Sequence, residues 1–166
     1  MIFGIPTATY TFIHIVISLV GIFSGFVVLF GVLASKRLDG WTALFMVTTV
    51  ATSVTGYAFP TEHLLPSQVV GVISLVVLTA AIIASYGRHL AGGWRKAYVI
   101  TAMIALYLNV FVAIVQAFLK VPSLKAMAPT QHEPPFLVAQ VGVMALFVVL
   151  TIVAAIKFRD GAVRPA

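Results

Sequence analysis

Five long stretches of this chain have no charged side chain in their interiors, and no other feature restricts the fold as strongly. The stretches cover residues 10–34, 41–59, 67–86, 97–119 and 136–158. Crossing the roughly 30 Å hydrocarbon core of a bilayer as a helix takes about 20 mostly apolar residues, because backbone polar groups cannot be left unpaired in lipid. The sequence therefore predicts an all-α fold, a polytopic membrane helix bundle with five transmembrane helices, which forms one domain over residues 1–166.

The composition excludes a soluble globular domain. Apolar residues make up 61% of the chain and charged residues 8%, against about 25% charged residues in an ordinary soluble domain. The net charge is +6, but the basic residues lie in short segments between the apolar stretches, which indicates membrane topology and argues against nucleic acid as a partner. The chain has no cysteine, so histidine and carboxylate are the best metal ligands that it offers.

The distribution of Lys and Arg predicts the orientation in the membrane. With five crossings, the connecting segments alternate between two sides, and the more basic side is cytoplasmic. We therefore expect the N-terminus outside and the C-terminus in the cytoplasm. The first helix has no basic segment before it and no small-residue cleavage site, so we expect a retained span. The outer side holds Lys120 and Lys125, and the cytoplasmic side holds Lys36, Arg37, Arg88, Arg95, Lys96, Lys157, Arg159 and Arg164.

Histidine and glutamate concentrate on the outer side of this topology. His14, His63 and His132 map there, together with Glu62 and Glu133. His14 lies about one turn inside the first span, where a polar side chain is costly and usually faces a cavity, the bundle interior or a partner. Two interpretations are open for it: a ligand or proton-handling group, or a histidine that is hydrogen-bonded to a neighbouring helix.

The two outer loops share the motif P-T-x-H-x-x-P, at residues 60–66 and 129–135. Each copy links an outward-running helix to an inward-running one, and a glutamine follows each copy. The pattern favours either two helix hairpins related by an axis along the membrane normal or a chance similarity between loops. In the duplicated arrangement, His63 and His132 would face a shared outer vestibule.

Convergence of these outer side chains would suit a metal ion such as Cu or Zn. The nitrogen ligands would be His14, His63 and His132, with Glu62 or Glu133 as an oxygen ligand or as the hydrogen-bond partner of a ligating histidine. Each histidine comes from a different segment of the chain. A metal site would therefore depend entirely on tertiary packing.

The same outer region supports a second cofactor hypothesis, a quinone or a b-type haem. A haem needs two axial ligands opposed across its ring. His14 with His63 is the one pair to consider, and His63 lies far out. A quinone requires less, one histidine and one amide or hydroxyl group, and Gln116 and Gln140 both fall in the outer halves of spans.

Other polar residues in the spans are expected to serve packing. Thr48, Thr52 and Thr55 follow helical spacing on the second helix. Such hydroxyls either line a path through the membrane or, more commonly, bond their own backbone against a neighbouring helix. Asn109 falls near the middle of the fourth span, where an unpaired amide would be costly, so we expect an interhelical hydrogen bond.

Small residues predict where helices approach each other. Gly21 and Gly25 form a small-xxx-small pattern on the first helix, which permits close contact with a neighbouring helix. In the long outer loop, residues 123–127 are expected to form one helical turn on the bilayer surface, since Ser123 is a favourable N-cap.

Several segments resemble small inner-membrane proteins of bacteria that have no assigned activity. They are Leu-Tyr-Leu-Asn at 106–109, Lys-Val-Pro at 120–122 and Pro-Thr-Gln-His-Glu-Pro-Pro-Phe at 129–136, and the likeness extends to the first helix around residues 14–18. The resemblance implies a bacterial inner-membrane location and no mechanism. Membrane subunits of b-type cytochromes are similar in outline, but the paired histidines inside their spans have no match in this sequence.

Three function classes follow, in this order. The first is a non-catalytic subunit or accessory protein whose outer vestibule binds a partner, a lipid or a metal ion, because the sequence has no nucleotide-binding or hydrolase motif and no mid-span lysine or carboxylate. The second is a redox protein that binds a quinone or haem b, and the third is a small permease or channel. The expected partners are the lipid bilayer and other membrane subunits or a second copy of this chain.

Overall fold

A computed structural model describes residues 1–60 and 66–158, together with the backbone of residues 164–165. This part of the chain is mostly helical. The helices are α1 (Thr7–Leu33), α2 (Asp39–Gly56), α3 (Pro66–Ile82), α4 (Trp94–Lys120), α5 (Pro122–Met127) and α6 (Pro134–Lys157); a π-helical turn, Ile83–Gly87, continues α3, and the short strands β1 (Lys36–Arg37) and β2 (Arg164–Pro165) pair in parallel.

Four helices are long and apolar enough to cross a membrane. They are α1, α3 with its π-helical turn, α4 and α6, with 27, 22, 27 and 24 residues. Large apolar side chains such as Phe12 and Val138 are exposed on the outer surfaces of these helices. The fold is compatible with a membrane helix bundle, in which lipid covers such surfaces.

The expectation of five spanning helices is supported for four of them. The second predicted span forms α2, which has 18 residues but is not among the helices apolar enough to cross. Five threonines and a serine in α2 lower its hydropathy. All ten predicted span ends fall within three residues of the helix ends found in the structure.

Proline marks the start of three helices. Pro66 begins α3, Pro122 begins α5 and Pro134 begins α6. Proline is favourable in a first turn because its missing N–H would have no intrahelical partner there. Pro66 and Pro135, the final prolines of the two P-T-x-H-x-x-P motifs, therefore both lie in the first turn of a helix.

Helix α4 lies at the centre of the bundle. It packs against α1, α3 and α6, and Asn109 Nδ2 on α4 donates to the hydroxyl oxygen of Thr49 on α2 at 3.1 Å. This bond confirms the interhelical partner expected for Asn109. The long helices alternate in direction. The same end of the bundle therefore holds the C-terminal ends of α1, α3 and α6 and the N-terminal ends of α2 and α4.

Glycine permits the close approach of α1 to its neighbours. A Cβ at Gly25 would lie 2.5 Å from Leu106 Cδ1 and 2.9 Å from Phe45 Cε2, and one at Gly21 would lie 3.2 Å from the hydroxyl oxygen of Thr48. The close contact predicted from the small-residue pattern is confirmed. A helical turn in the predicted segment is confirmed as α5, but the helix begins at Pro122, so Ser123 lies inside it and is not the N-cap that we expected.

The two ends of the bundle carry different side chains. The histidine end holds His14, His132 and Glu133, and the adjoining half of the bundle is called the histidine half. The opposite end, where α1 finishes and α2 begins, is called the basic end, and its half the basic half. The described residues that define the basic end are Lys36, Arg37, Arg88, Arg95, Lys96 and Lys157.

The apolar core lies in the basic half. Each of its largest fully buried side chains belongs to the half of its helix nearer the basic end. They are Val28, Leu29, Phe45, Leu78, Val99, Met103, Leu106 and Phe158. Here the helices are close enough for side chains to interdigitate at the density of a protein interior.

Candidate functional site

His14 lies near the histidine end, between α1 and the last turn of α2. The ring Nδ1 is 2.8 Å from the hydroxyl oxygen of Thr55, and the ring packs edge-on against Phe59 with 5.2 Å between centroids. Gly56 leaves room for the imidazole, since a Cβ there would lie 3.8 Å from His14 Cε1. His14 is half-buried and is held by a neighbouring helix.

The hydrogen bonds around Thr55 assign the tautomer of His14. The hydroxyl of Thr55 donates to the carbonyl oxygen of Ala51 at 2.6 Å. Since a hydroxyl has only one hydrogen, Thr55 Oγ1 accepts in its bond with His14, and Nδ1 of the ring is the donor. The neutral ring then carries a lone pair on Nε2, which has no hydrogen-bond partner within the described residues.

Tyr10 strengthens the same corner of the bundle. Its hydroxyl donates to the carbonyl oxygen of Thr55 at 2.9 Å, and its ring lies edge-on to Phe59 at 5.2 Å. Two side chains of α1, one turn apart, therefore fix the position of Thr55. This role was not predicted, because the sequence analysis placed Thr55 in a packing stripe.

A register signal in the sequence would have identified the pair. Helices α1 and α2 form an antiparallel hairpin with a short connection. Residues of the two helices therefore lie side by side when their residue numbers add up to about 70, as Gly25 and Phe45 do. The same sum brings His14 opposite Thr55. An antiparallel hairpin with a short turn thus allows contacts to be predicted once the turn is located.

Helix α4 is loosely packed in the histidine half. Every residue from 107 to 117 is partly exposed, whereas six residues from 98 to 106 are buried. A helix packed along one side shows a buried stripe at every third or fourth position. About three turns without a fully buried residue show that this segment packs less tightly than residues 98–106.

Gln140 faces this loosely packed segment. It is 8% exposed, and its Nε2 donates to the carbonyl oxygen of Phe111 on α4 at 3.2 Å. Its Oε1 is buried and has no hydrogen-bond partner in the described part of the chain, and the same holds for the hydroxyl of Thr52 on α2. The histidine half therefore holds three lone-pair atoms without a described donor, the third being Nε2 of His14.

Gln116 lies at the same depth as His14. A Cβ at Gly21 would lie 3.7 Å from Asn109 Nδ2. Because α1 and α4 run in opposite directions, a residue of α1 and a residue of α4 lie at the same depth when their residue numbers add up to about 130. Gln116 is partly exposed, and it makes no hydrogen bond to any residue in the described ranges.

The predicted cofactor-binding residues are thus only partly brought together. His14 and Gln116 lie at the same depth. However, the side chain of His14 is hydrogen-bonded to α2, and that of Gln140 is hydrogen-bonded to α4. His63 lies outside the described residues. Among the described histidines, only His14 lies inside a long helix, so the haem hypothesis depends on His63 as a second ligand.

The carboxylate of Glu133 organises the turn before α6. Its Oε1 accepts from the backbone N–H of Thr130 at 3.2 Å and from the Thr130 hydroxyl at 2.8 Å, and its Oε2 accepts from the N–H of His132 at 3.1 Å. Desolvation opposes ionisation, but these hydrogen bonds outweigh it and lower the pKa of Glu133. The imidazole of His132 is exposed.

Gln131 connects this turn to the centre of the bundle, which the sequence analysis did not predict. Its Nε2 donates to the carbonyl oxygen of Val115 on α4 at 3.0 Å. Gln131 also adopts a positive φ of 61°, a left-handed conformation that points to a constrained turn. The carboxylate of Glu133 thus fixes the turn before α6, and the amide of Gln131 holds that turn against α4.

Two of the five predicted metal ligands cannot be compared with the structure. Glu62 and His63 fall outside the described residues. Across residues 1–60 and 66–158, no three His, Asp or Glu side chains come close enough to hold a metal ion together. The set of His14, His63, His132, Glu62 and Glu133 therefore stays a prediction.

Hydroxyl groups on α2 serve mainly in helix packing. Thr48 and Thr55 donate to carbonyl oxygens of their own helix, at 2.7 and 2.6 Å, and Thr49 accepts from Asn109. These bonds favour the packing interpretation over a permeation path.

Comparison with known proteins gives no relative. No protein-family model, no curated protein and no solved structure matches this chain.

Proposed function

We propose that this chain is a multi-pass protein of the bacterial inner membrane that acts by binding, as a non-catalytic subunit or accessory protein of a membrane assembly. Its binding region is the histidine half, and the ligand contacts Nε2 of His14. The observation that carries the proposal is the bond from His14 Nδ1 to Thr55. When a neighbour holds one ring nitrogen of a histidine, here Nδ1, the other nitrogen, here Nε2, points in a fixed direction, as in histidines that bind ligands.

The unpartnered atoms indicate the kind of ligand. Nε2 of His14 and Oε1 of Gln140 both offer lone pairs, and the hydroxyl of Thr52 offers lone pairs together with one hydrogen. Lone pairs attract a cation or a molecule with hydrogen-bond donors. Oε1 of Gln140 and the Thr52 hydroxyl are buried, so the proposed first contact of such a ligand is the half-buried His14.

The other interhelical hydrogen bonds support a binding role over catalysis. Asn109 bonds Thr49 at 3.1 Å, and Thr42 bonds Tyr98 at 3.1 Å. These side chains satisfy each other between helices, and such bonds stabilise a membrane bundle. In contrast, His14 keeps a basic ring nitrogen, Nε2, that has no hydrogen-bond partner within the described residues.

The proposed topology has five crossings, with α2 as the fifth. Helix α2 is about 27 Å long, close to the hydrocarbon thickness, and it lies along α1 from Phe45, beside Gly25, to Thr55, beside His14. A helix packed along a spanning helix over this length shares its depth. The excess of Lys and Arg at the basic end supports a cytoplasmic location for that end in this proposal, with the N-terminus outside.

Cysteine labelling tests this topology. The chain has no native cysteine, so Pro129→Cys and His89→Cys each introduce one thiol, at opposite ends. In intact cells we expect a membrane-impermeant maleimide to label position 129 and to reach position 89 only after the membrane is opened. Equal labelling of both positions in intact cells would contradict the five-crossing topology.

Titration with Zn²⁺ and Cu²⁺ in lipid nanodiscs tests the ligand site. We expect binding in the wild type, loss of binding in His14→Ala and roughly 10- to 100-fold weaker binding in Thr55→Val, because the valine keeps the shape but no longer orients the ring. Calorimetry gives the Kd, and electron paramagnetic resonance shows whether imidazole nitrogen binds Cu²⁺.

His89→Ala is the matched control, since it removes a histidine at the basic end. Binding that is unchanged in His14→Ala, or weakened equally in His89→Ala, would refute a cation site at His14. The double variant His63→Ala, His132→Ala decides whether the loop histidines take part.

A hydroquinone is the second candidate ligand, and the tautomer of His14 favours it over the oxidised quinone. A hydroquinone donates O–H groups, and Nε2 is an acceptor; the carbonyl oxygens of a quinone need a donor instead. Lipid extracts of the purified protein are expected to contain quinone in wild type and less in His14→Phe. Extracts of wild type without quinone would remove this candidate.

A further inference from the structure

An apolar groove runs between α4 and α6 on the surface of the basic half. It has a volume of about 390 Å³, and its lining includes Ile100, Ile104, Tyr107, Met144 and Val148. Its walls are almost wholly apolar, and they belong to segments that the hydropathy of α4 and α6 places in the hydrocarbon. The groove is therefore accessible to lipid chains.

The groove continues into a second cavity at the basic end. This cavity has a volume of about 600 Å³ and is lined by Gly92, Arg95, Lys96 and Phe158, and both cavities share Ile152 and Ala155. The guanidinium of Arg95 lies 6.0 Å from the centre of the Phe158 ring, at the mouth. A long apolar groove thus opens at a site with two cations.

The length of this path matches one leaflet. From Lys96 to Tyr107, α4 rises by about 16 Å at roughly 1.5 Å per residue, and half of the roughly 30 Å hydrocarbon core is about 15 Å. An acyl chain that begins at the charged mouth would therefore end near the middle of the membrane, where the groove ends.

The charge at the mouth selects an anionic headgroup. The described residues of the basic end include six Lys and Arg, and their one acidic side chain, Asp39, is paired with Arg37. Arg88 stacks on Trp94 at 5.2 Å, which places a further cation beside the start of α4. Each basic residue near a membrane surface attracts anionic lipid by roughly 1 kcal/mol.

We propose that this continuous groove is a binding site for one anionic phospholipid of the leaflet at the basic end. The acyl chain lies between α4 and α6, and the phosphate contacts the ammonium group of Lys96. Charge complementarity and length identify the occupant as a lipid. The site lies at the opposite end from His14, so it stands independently of the proposed function.

Native mass spectrometry of the delipidated full chain, titrated separately with phosphatidylglycerol and phosphatidylcholine, tests this site. For the first lipid bound, the wild type is expected to bind phosphatidylglycerol about fivefold more tightly than phosphatidylcholine. This ratio corresponds to the roughly 1 kcal/mol that one lysine contributes. Lys96→Gln is expected to remove this preference. Lys120→Gln, at the other end of the same helix, is the matched control and is expected to keep it.

A second pair of variants tests the groove itself. Ala155→Phe fills the shared wall of the two cavities and is expected to weaken phosphatidylglycerol binding at least fivefold. Ala145→Phe adds the same bulk to an exposed position of α6 that lines neither cavity and is expected to leave binding unchanged.

Three results would overturn the proposal. They are equal affinity of the wild type for both lipids, a preference that survives Lys96→Gln, and a dimeric wild type that Ala155→Phe converts to a monomer without a change in bound lipid. The last result would assign the groove to a second copy of the chain. Because Lys96→Gln lies on the surface, it decides the matter even if Ala155→Phe does not fold.

Discussion

The basic and histidine halves of this bundle are held together by different forces. In the basic half, side chains such as Phe45, Met103 and Leu106 are fully buried and interdigitate around α4. In the histidine half, the same helix has no buried residue from 107 to 117, and hydrogen bonds such as Gln140 to Phe111 join it to its neighbours. Helix α4 is thus closely packed in one half and less closely packed in the other, where hydrogen bonds also join it to its neighbours.

This difference assigns most of the tight packing around α4 to the basic half. Close packing provides many dispersion contacts, the main attraction between helices in lipid, where the hydrophobic effect does not act between them. A ligand at His14, as proposed above, would lie where α4 makes fewer such contacts.

The largest expected effect is that of Phe45→Ala in the packed half. Phe45 is fully buried, and truncation of a buried phenylalanine costs about 3–5 kcal/mol through the cavity it leaves. Reversible unfolding in mixed micelles measures the loss. The control is Phe12→Ala, which removes a 67% exposed ring and is expected to cost less than about 0.5 kcal/mol. Equal losses would show that the halves do not differ in packing.

The next effect is that of Gly25→Ala, which adds one methyl group to the packed half. The new Cβ would lie 2.5 Å from Leu106 Cδ1 and 2.9 Å from Phe45, so α1 is pushed outward at a cost of about 1–3 kcal/mol. Thermal unfolding followed by tryptophan fluorescence measures it. Gly142→Ala is the control on α6, where no atom lies within 4 Å of the new Cβ; a loss there as large as at Gly25 would contradict the steric explanation.

A smaller effect is expected from Tyr10→Phe in the histidine half. The substitution removes the hydrogen bond to the Thr55 carbonyl, and such bonds in membrane bundles contribute about 0.6 kcal/mol on average. The same unfolding assay applies, with Tyr86→Phe, an exposed tyrosine at the basic end, as the control. A loss above about 2 kcal/mol would mean that the histidine half is as tightly coupled as the core.

The smallest effect is the pH dependence of the turn held by Glu133. Because hydrogen bonds lower the pKa of Glu133 in the fold, its stabilising contribution is complete above the usual glutamate pKa and is lost as the pH falls through the lowered one. The amide resonance of Thr130 is expected to titrate below the usual glutamate pKa. Glu133→Gln is expected to remove the titration, and a midpoint at or above the usual value would contradict the hydrogen-bonded turn.

Much of the fold was predictable because it depends on local properties. Apolar length predicted the helices, and the spacing of Gly21 and Gly25 predicted close contact. The hydropathy of α2 was overestimated: its uninterrupted length suggested a span, but its threonines make it less apolar than its neighbours. Its position along α1, which only the tertiary structure reveals, is the argument for including it among the proposed crossings.

The candidate site was predictable only in part. A histidine inside a span was a clear signal, and His14 does lie in a polar corner with Thr55. The roles of Thr55, Gln131 and the unpaired Oε1 of Gln140 depend on which helices meet and at what height. Single-residue chemistry does not contain that information, although the short connection between α1 and α2 contained some of it.

The sequence by itself indicated that the chain forms long apolar helices and that most of its basic residues lie at the opposite end from His14 and His132, because both properties follow from the order of side chains along each segment. Only the tertiary structure decided that the helices pack closely in one half and separate in the other. That outcome depends on whether side chains from different helices fit together at each level, as Gly25 with Phe45 and Leu106 do. The tertiary structure also determined which ring nitrogen of His14 bonds Thr55.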